Sequence, residues 1–296
     1  MVNAVRGARA FFLALAAVLL AGCASSMLTR LTYSNAALAY NNLTPMLTWT
    51  VDGYLDLKDP QEDWVRARLA GMVEWHRKEE LPGLRIYLKN ALAKSAAPFT
   101  ADEVAPFWRE LRAHYYKVVD QAMPDLAELL LGLDAEQANQ LERKFADDNY
   151  KFERESLRGT PDERRRKRMR RFLDHLEAWV GTLDDEQREI VEAGYREIPD
   201  LSDEILGERR YRQGEIMTLV RGKGAADEAA AKLKYLLVDA EKWRRDEYKD
   251  KIRERDRRLF ALIANLSTKL SDEQRAALQK RIRGFIRDID TLTKAG

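Results

Sequence analysis

Cysteine is almost missing from this chain: Cys23 is the only one in 296 residues. No disulfide can form within the chain, so a fold of this length must be held by its core alone. No cysteine-based metal site or redox pair is available either. Histidine is nearly as scarce, with His76, His114 and His175 far apart in sequence, so no two share one helical turn as a metal-ligand pair. There is no Gly-x-Ser-x-Gly, no His-Glu-x-x-His, no phosphate-binding glycine loop and no dinucleotide fingerprint. An excess of one charge is lacking too, since 51 Lys and Arg stand against 49 Asp and Glu. A near-neutral chain in which 34% of residues are charged is not a general nucleic-acid binder. β-Alternation is absent throughout. The one long apolar run, residues 10–20, is shorter than the roughly 20 residues that cross a bilayer.

That run has a different use. Arg6 and Arg9 precede it with no acid among them, and small residues follow it, the order of a secretory leader. With those two arginines gone, Lys plus Arg falls from 51 to 49 and equals Asp plus Glu. The run ends in Leu20-Ala21-Gly22-Cys23, which resembles the lipobox of bacterial lipoproteins at all four places. The resemblance implies transfer of a diacylglyceryl group to the Cys23 sulfur, cleavage after Gly22 and acylation of the new amino group. Stable anchoring needs more than one acyl chain, and a multiply acylated cysteine meets that need. Ala24 stands where an Asp would resemble an inner-membrane retention signal. The expected location is therefore the outer membrane, facing the periplasm.

The remainder reads as helices. Dense charge of both signs, with abundant Ala, Leu, Glu and Arg, suits helices whose outer faces are ion-paired. Tyr33, Ala37, Tyr40, Leu43 and Leu47 recur at helical spacing, continued by Trp49 and Tyr54, and read as core aromatics and aliphatics of a first helix. Asp59-Pro60 predicts a second helix start, with a stripe of Val65, Leu69, Met72, Val73 and His76 that ends or kinks at Pro82. A further helix is expected over 83–95. Thr100 with Glu103, and Thr160 with Glu163, read as capping boxes. After Thr100 a face of Val104, Phe107, Leu111, Tyr115 and Val118 forms, and Pro124 is expected to interrupt it.

One device recurs. Leu133-Asp134-Ala135-Glu136-Gln137, Leu183-Asp184-Asp185-Glu186-Gln187 and Leu270-Ser271-Asp272-Glu273-Gln274 share a form, with Leu57-Lys58-Asp59-Pro60-Gln61 a degenerate copy. Asp134, Asp184 and Ser271 can accept from N–H groups of the first turn, and the Gln three residues on can reach back to the cap residue's own N–H. The extra acids suit the positive helix end. These predict helices near 134–158, 184–197 and 271–293. The intervals are unequal, so this is not a solenoid. Another helix is expected near 200–220, and one long helix from about 225 to 268. Its stretch 241–258 has only Trp243, Tyr248 and Ile252 to bury and is expected to project into solvent.

Several of these segments together resemble an uncharacterised, domain-of-unknown-function family of proteobacterial lipoproteins. They are Tyr40-Asn41-Asn42, Trp75-His76-Arg77 with Glu80-Leu81-Pro82, Glu142-Arg143-Lys144-Phe145 with Asp147-Asp148-Asn149, and the Leu-x-x-x-Gln starts. The resemblance implies an all-helical envelope lipoprotein and brings no activity. The helix starts also resemble the Leu-Thr-x-x-Gln motif of periplasmic chaperones of the Spy type, with Asp or Ser in place of Thr.

The expectations are these. The fold is all-α, an elongated bundle of long antiparallel helices. Residues 1–22 are the leader, 23–32 the lipidated N-terminus and short tether, and 33–296 the helical domain, with a candidate subdivision at 222–224. A polar cluster of His76, Arg77, Glu80, Asp148 and Asn149 is the candidate site, because Asp148 and Asn149 interrupt the stripe of Leu141, Phe145 and Phe152. The simpler readings are a core histidine satisfied by Glu80 at i+4 and a buried bond fixing helix register. His114 reads as half-buried and His175 as surface. Seven of the eight residues 164–171 are basic, which suits anionic lipid heads or a polyanion or, more simply, a solvated helix paired with neighbouring acids. No metal, no cofactor beyond the covalent lipid on Cys23 and no nucleic-acid partner are expected. The partners are the membrane and a periplasmic or envelope protein. The chain is expected to be non-enzymatic, with a Spy-like holdase, or a hydrolase or metal site around His76 and Glu80, as alternatives.

Cys23→Ala should leave the folded body intact, as read by circular dichroism, while abolishing labelled-palmitate incorporation and releasing the chain from the membrane fraction. Retention of that variant in the outer membrane would remove the case for the anchor.

Overall fold

The computed structural model describes residues 40–294. The leader, the tether 23–32 and with them Gly22, Cys23, Tyr33 and Ala37 lie outside the described residues. Within them the chain is helical with no strand, an elongated bundle as expected. The helices are α1 (Leu43–Leu55), α2 (Asp59–Trp75), α3 (Leu81–Lys94), α4 (Ala101–Leu131), α5 (Ala135–Phe152), α6 (Pro161–Val180), α7 (Asp185–Arg196), α8 (Ser202–Gly222), α9 (Ala226–Leu237), α10 (Asp246–Ser267) and α11 (Asp272–Lys294). π-Helical turns at His76–Glu80 and Glu153–Leu157 join α2 to α3 and extend α5.

Three cores, not one, hold the bundle. The largest gathers Leu55, Val119, Met123, Leu130, Leu141, Phe145, Ile216, Val220 and Leu233 from α1, α4, α5, α8 and α9. A second joins Tyr40, Leu43, Leu47 and Leu81 to Ile289 and Leu292 of α11. A third packs α6 and α7, through Leu173, Val180 and Val191, on Leu262 and Leu266 of α10. The stripe on α2 divides between cores, Met72 facing the first and Leu69 and Val73 the second. Helix α11 spans two, with Leu278 at the third and Ile289 at the second. Helices α7 and α10 approach closely at Gly194, where a Cβ would lie 2.6 Å from Leu262 Cδ1. The turn at 222–224 is no boundary between cores, because Val220 before it and Ala229 after it share the largest one.

Four expectations need correction. Pro124 does not interrupt: α4 runs through both Pro106 and Pro124. A mid-helix proline costs about 3 kcal/mol, and burial of Val119, Ala122, Met123, Ala127 and Leu130 on that helix outweighs it. The helix start at Asp59-Pro60 lies one residue earlier, with Lys58 as cap, because Gln61 takes the third position and accepts from the Lys58 N–H at 3.0 Å. Trp49 is not core: it is 63% exposed on the outer side of α1. Finally, 225–268 is not one helix, and 241–258 does not project. The chain breaks between α9 and α10 at a 3₁₀ turn, Ala240–Lys242. There Trp243 donates from its indole to the Tyr235 carbonyl (2.9 Å), and Arg244 forks onto Glu208 of α8. The charged stretch then lies back on the body, pairing Lys251 with Glu204 (2.7 Å) and Arg258 with Glu197 (2.8 Å), with Tyr248 buried.

The four Leu-x-x-x-Gln starts meet in two pairs. Gln187 and Gln274 exchange amide hydrogen bonds at 2.7 and 2.8 Å. Each also donates to the carbonyl five residues before the other, Gln187 to Lys269 and Gln274 to Thr182, both at 2.8 Å. Each accepts from its own cap residue, Asp184 or Ser271. The degenerate start pairs in the same way: Gln61 and Gln137 exchange bonds at 3.2 and 2.6 Å, and Gln137 donates to Asp56 O at 3.0 Å. Each pair therefore ties two helix starts together, α2 to α5 and α7 to α11. Lysines bridge both junctions, Lys58 to Asp134 and Lys269 to Glu186.

Gln187→Leu should destabilise the chain by about 2–4 kcal/mol, because the Asp184 N–H, the Lys269 carbonyl and the Gln274 amide all lose their partner in the buried Gln187 side chain. Urea unfolding measures it. A double-substitution cycle with Gln274→Leu should show a coupling of at least about 1 kcal/mol; additive effects would mean the two amides act independently.

Candidate functional site

The expected polar cluster divides into two places. The first surrounds the π-turn His76–Glu80. Pro82 has no N–H and its ring crowds the carbonyl four residues back, so a regular helix cannot continue through it undisturbed. The helix widens instead, and the Leu81 N–H bonds to the His76 carbonyl, five residues back. Such π-turns often mark functional sites. Here the widened turn points both His76 and Glu80 inward, toward different neighbours.

His76 Nδ1 lies 2.9 Å from the Tyr40 hydroxyl, which donates to the Val73 carbonyl at 3.1 Å. With that hydroxyl proton committed to Val73, an Nδ1–H on neutral His76 satisfies the remaining contact. Burial pushes the His76 pKa down to about 4, against the opposing pull of Glu80, and the neighbouring His114 adds to the lowering. Burial likewise pushes the Tyr40 hydroxyl up to about 12. At neutral pH both are uncharged and neither is poised for proton transfer.

Glu80 does not pair with His76, although the i+4 spacing suggests it. Its carboxylate, 5% exposed, lies 2.8 Å from His114 Nδ1 and 3.4 Å from Lys117 Nζ, both on α4. Gly83 makes room for this: a Cβ there would stand 3.0 Å from His114 Cε1. His114 is half-buried as expected, and packs edge-on against Tyr87 at 6.3 Å. Arg77, its side chain 18% exposed, donates to Asn41 Oδ1 at 3.2 Å and covers the Tyr40 ring at 5.6 Å. The turn thus clamps the segment that enters the body from the N-terminal side.

Asp148 and Asn149 sit elsewhere, on α5. Asp148 accepts from the Tyr54 hydroxyl at 2.5 Å, tying α5 to α1. Asn149 Nδ2 donates to Gln213 Oε1 on α8 at 2.7 Å. Asn149 Oδ1 and Gln213 Nε2 are buried and have no hydrogen-bond partner among the described residues. Sequence reasoning missed Tyr40's role, the pairing of His114 with Glu80, Lys117 and Gln213. For Gln213 a signal exists: Arg209, Arg212 and Gln213 continue the inward stripe of Ile216, Met217 and Val220 toward the start of α8. His175 is half-buried rather than fully at the surface.

The basic run on α6 has two sides. Arg168 and Arg164 turn to the loop before α8, where both meet Asp200, and Arg164 also reaches Asp203 (3.4 Å). Arg165 pairs with Asp162 at 2.7 Å. Arg166, Lys167, Arg170 and Arg171 share the exposed outer arc. Among the described residues no group of three or more His, Cys, Asp or Glu is placed to hold a metal ion, and no helix is long and apolar enough to cross a membrane.

A model of a family of unknown function, DUF6279, matches residues 53–249, well over half of the chain, and the chain belongs to that family. The matched range holds the π-turn, the α5 polar pair and both members of the Gln61–Gln137 junction. No curated protein and no solved structure matches the chain.

A buried neutral histidine makes stability pH-dependent. Unfolded, His76 binds a proton near pH 6.5; folded, it does so only near pH 4. Its contribution is complete above pH 6.5 and is lost as pH falls toward 4, by about 2 kcal/mol at pH 4.5. His76→Gln, which keeps a polar partner for Tyr40, should flatten the stability profile between pH 7 and 4.5 relative to wild type. Equal slopes in urea titrations at several pH values would show that His76 is not the group responsible.

Proposed function

We propose that this chain is a lipid-anchored lipoprotein of the outer membrane, facing the periplasm, that works by binding other envelope proteins and catalyses no reaction of its own. The Leu20-Ala21-Gly22-Cys23 sequence supports the anchor. The arc of Arg166, Lys167, Arg170 and Arg171 supports a body held near anionic lipid heads. The role that fits is assembly, quality control or maintenance of the envelope.

The observation that carries the binding reading is Trp49. It lies on α1, the first described helix after the anchor, and 63% of it is exposed. Tryptophan is among the residues most enriched in the energetic centres of protein interfaces. Ile86 on α3, whose preceding turn clamps the same entering segment, is 59% exposed. The polar clusters behind these residues are internally satisfied at Tyr40, His76, Glu80 and His114, which suits a firm support for a binding face better than a reacting centre.

A photo-crosslinking amino acid placed at Trp49 in intact cells should yield a discrete adduct with an envelope protein, identified by mass spectrometry and lost in the Cys23→Ala background. Trp49→Ala should weaken that association by tenfold or more while leaving the melting temperature within a few degrees. Absence of any adduct from Trp49 and Ile86, or full complementation by the unanchored variant, would overturn the reading.

A further inference from the structure

Charge is not spread evenly along this chain. Residues 151–171 hold ten Lys and Arg against four Asp and Glu, so the remainder is net acidic. That stretch runs from the end of α5 through the second π-turn, Glu153–Leu157, into the first half of α6. Gly159, at φ 100°, turns the chain between them. The π-turn sets Arg154 and Arg158 at a depression of about 450 Å³, beside Tyr150, Leu157, Leu206 and Arg210. Both acids of that depression are taken, Glu153 by Arg210 and Asp203 by Arg164 at 3.4 Å. Arg164 belongs to α6, so the same contact holds the start of that helix at the depression's edge. Arg158 covers the Tyr150 ring at 5.7 Å and donates to its hydroxyl at 3.3 Å. Arg154, Arg158 and the outer arc of Arg166, Lys167, Arg170 and Arg171 form no ion pair among the described residues. Helix α10 is as densely charged, yet there Lys249, Lys251, Arg253, Arg257 and Arg258 each meet an acid.

We propose that this cationic face docks on the anionic surface of a membrane, with lipid phosphates received at Arg154 and Arg158. A guanidinium presents a planar fork of donors that matches phosphate oxygens. Two such groups without acids stand here beside Tyr150, a ring that is 57% exposed. That combination suits the headgroup layer, where tyrosine keeps its ring among lipids and its hydroxyl in water. The arc on α6 adds attraction that acts over about a Debye length and needs no fitted contact. The anchor explains why the occupant is a membrane. Fully extended, the residues from Cys23 to Tyr40 span at most about 60 Å. Acyl chains on Cys23 therefore hold the body near lipid without deciding which face turns to it. The face whose cations lack acids decides that. The inference rests on the anchoring reading and adds to it the orientation of the body and the headgroup chemistry recognised.

The test uses the full-length chain with acylation of Cys23 verified by mass spectrometry. A bimane fluorophore sits on Glu155→Cys, an exposed position of the π-turn. The chain is reconstituted in vesicles of phosphatidylcholine, alone or mixed with phosphatidylglycerol, each doped with a lipid bearing a nitroxide quencher on its headgroup. Quenching should be at least threefold greater in the anionic vesicles and fall to the neutral-vesicle level in high salt. Arg154→Gln with Arg158→Gln should remove at least half of the excess. Adding Arg166→Gln, Lys167→Gln, Arg170→Gln and Arg171→Gln should remove the rest, with circular dichroism and melting temperature kept, since all six side chains are exposed. Lys78→Gln with Lys89→Gln takes as much charge from beside the other π-turn as the first pair does, and should leave the quenching intact. Equal quenching in the two vesicle types, undiminished quenching in the folded variants, or an equal loss from Lys78→Gln with Lys89→Gln would each overturn the proposal. Should the six-site variant misfold, the Arg154 and Arg158 pair decides alone. If these arms fail while Cys23 is acylated, the orientation is lost and the anchoring reading stands. An unacylated Cys23 removes that reading, and flotation of the labelled chain with the same two vesicle types then decides the face by itself. Binding of a fluorescent polyphosphate without any quenching would mean that a soluble polyanion is the ligand, and would equally overturn the proposal.

Discussion

Two helix starts facing each other is an unfavourable arrangement. Each brings unpaired N–H groups and the positive end of its dipole. The structure brings such starts together twice, α2 with α5 and α7 with α11, and the reciprocal glutamine amides make it tolerable. Each amide satisfies its own cap N–H, its partner's amide and, for three of the four, a carbonyl of the loop opposite. Acids in each first turn, such as Asp59, Glu136, Asp185 and Asp272, offset the dipoles. Helical hairpins that are distant in sequence are thereby tied end to end, and their lengths then lie side by side.

With the ends tied, three modest cores suffice where one large one is missing. No cysteine is available to cross-link them. Long helices do the joining: α11 runs from the third core to the second, and α4 carries most of the first. Charge completes the assembly. Glu208 receives Arg244 across the break after α9, and Asp200 receives Arg164 and Arg168 from α6. Surface ion pairs contribute little individually, but Glu208, Arg212 and Arg244 are largely buried, and there an unpaired charge would be costly.

The two polar places differ in the same terms. At the π-turn His76 and Glu80 each have a partner inside the protein, Tyr40 and His114. Between α5 and α8 one amide pair, Asn149 with Gln213, closes a single bond and is sealed within the packing. Both kinds of buried polar contact fix which helices lie side by side.

Local rules carried much of this. Capping chemistry marked the starts at Thr100, Asp134, Thr160, Asp184 and Ser271, because a cap is satisfied within four residues of chain. Apolar spacing marked the inward faces of α2, α4 and α5 for the same reason. The expected leader and the resemblance of Leu20-Ala21-Gly22-Cys23 to a lipobox are likewise read along the chain. Which start pairs with which was not legible, since Gln187 and Gln274 meet across 87 residues and nothing local selects the partner. Packing also overrode local signals at Pro106 and Pro124, which stay in α4, and at 238–245, where the Glu208–Arg244 pair and the Trp243 indole bend a segment whose own composition favours continuing. The division of His76 and Glu80 from Asp148 and Asn149 is of the same kind. Sequence alone determined that each is polar in an apolar stripe; only the packing of α1, α4 and α8 decided what each one faces. The physical reason is range: capping and periodicity act within a few residues, whereas a buried polar group takes its partner from whichever helix the folded chain lays beside it.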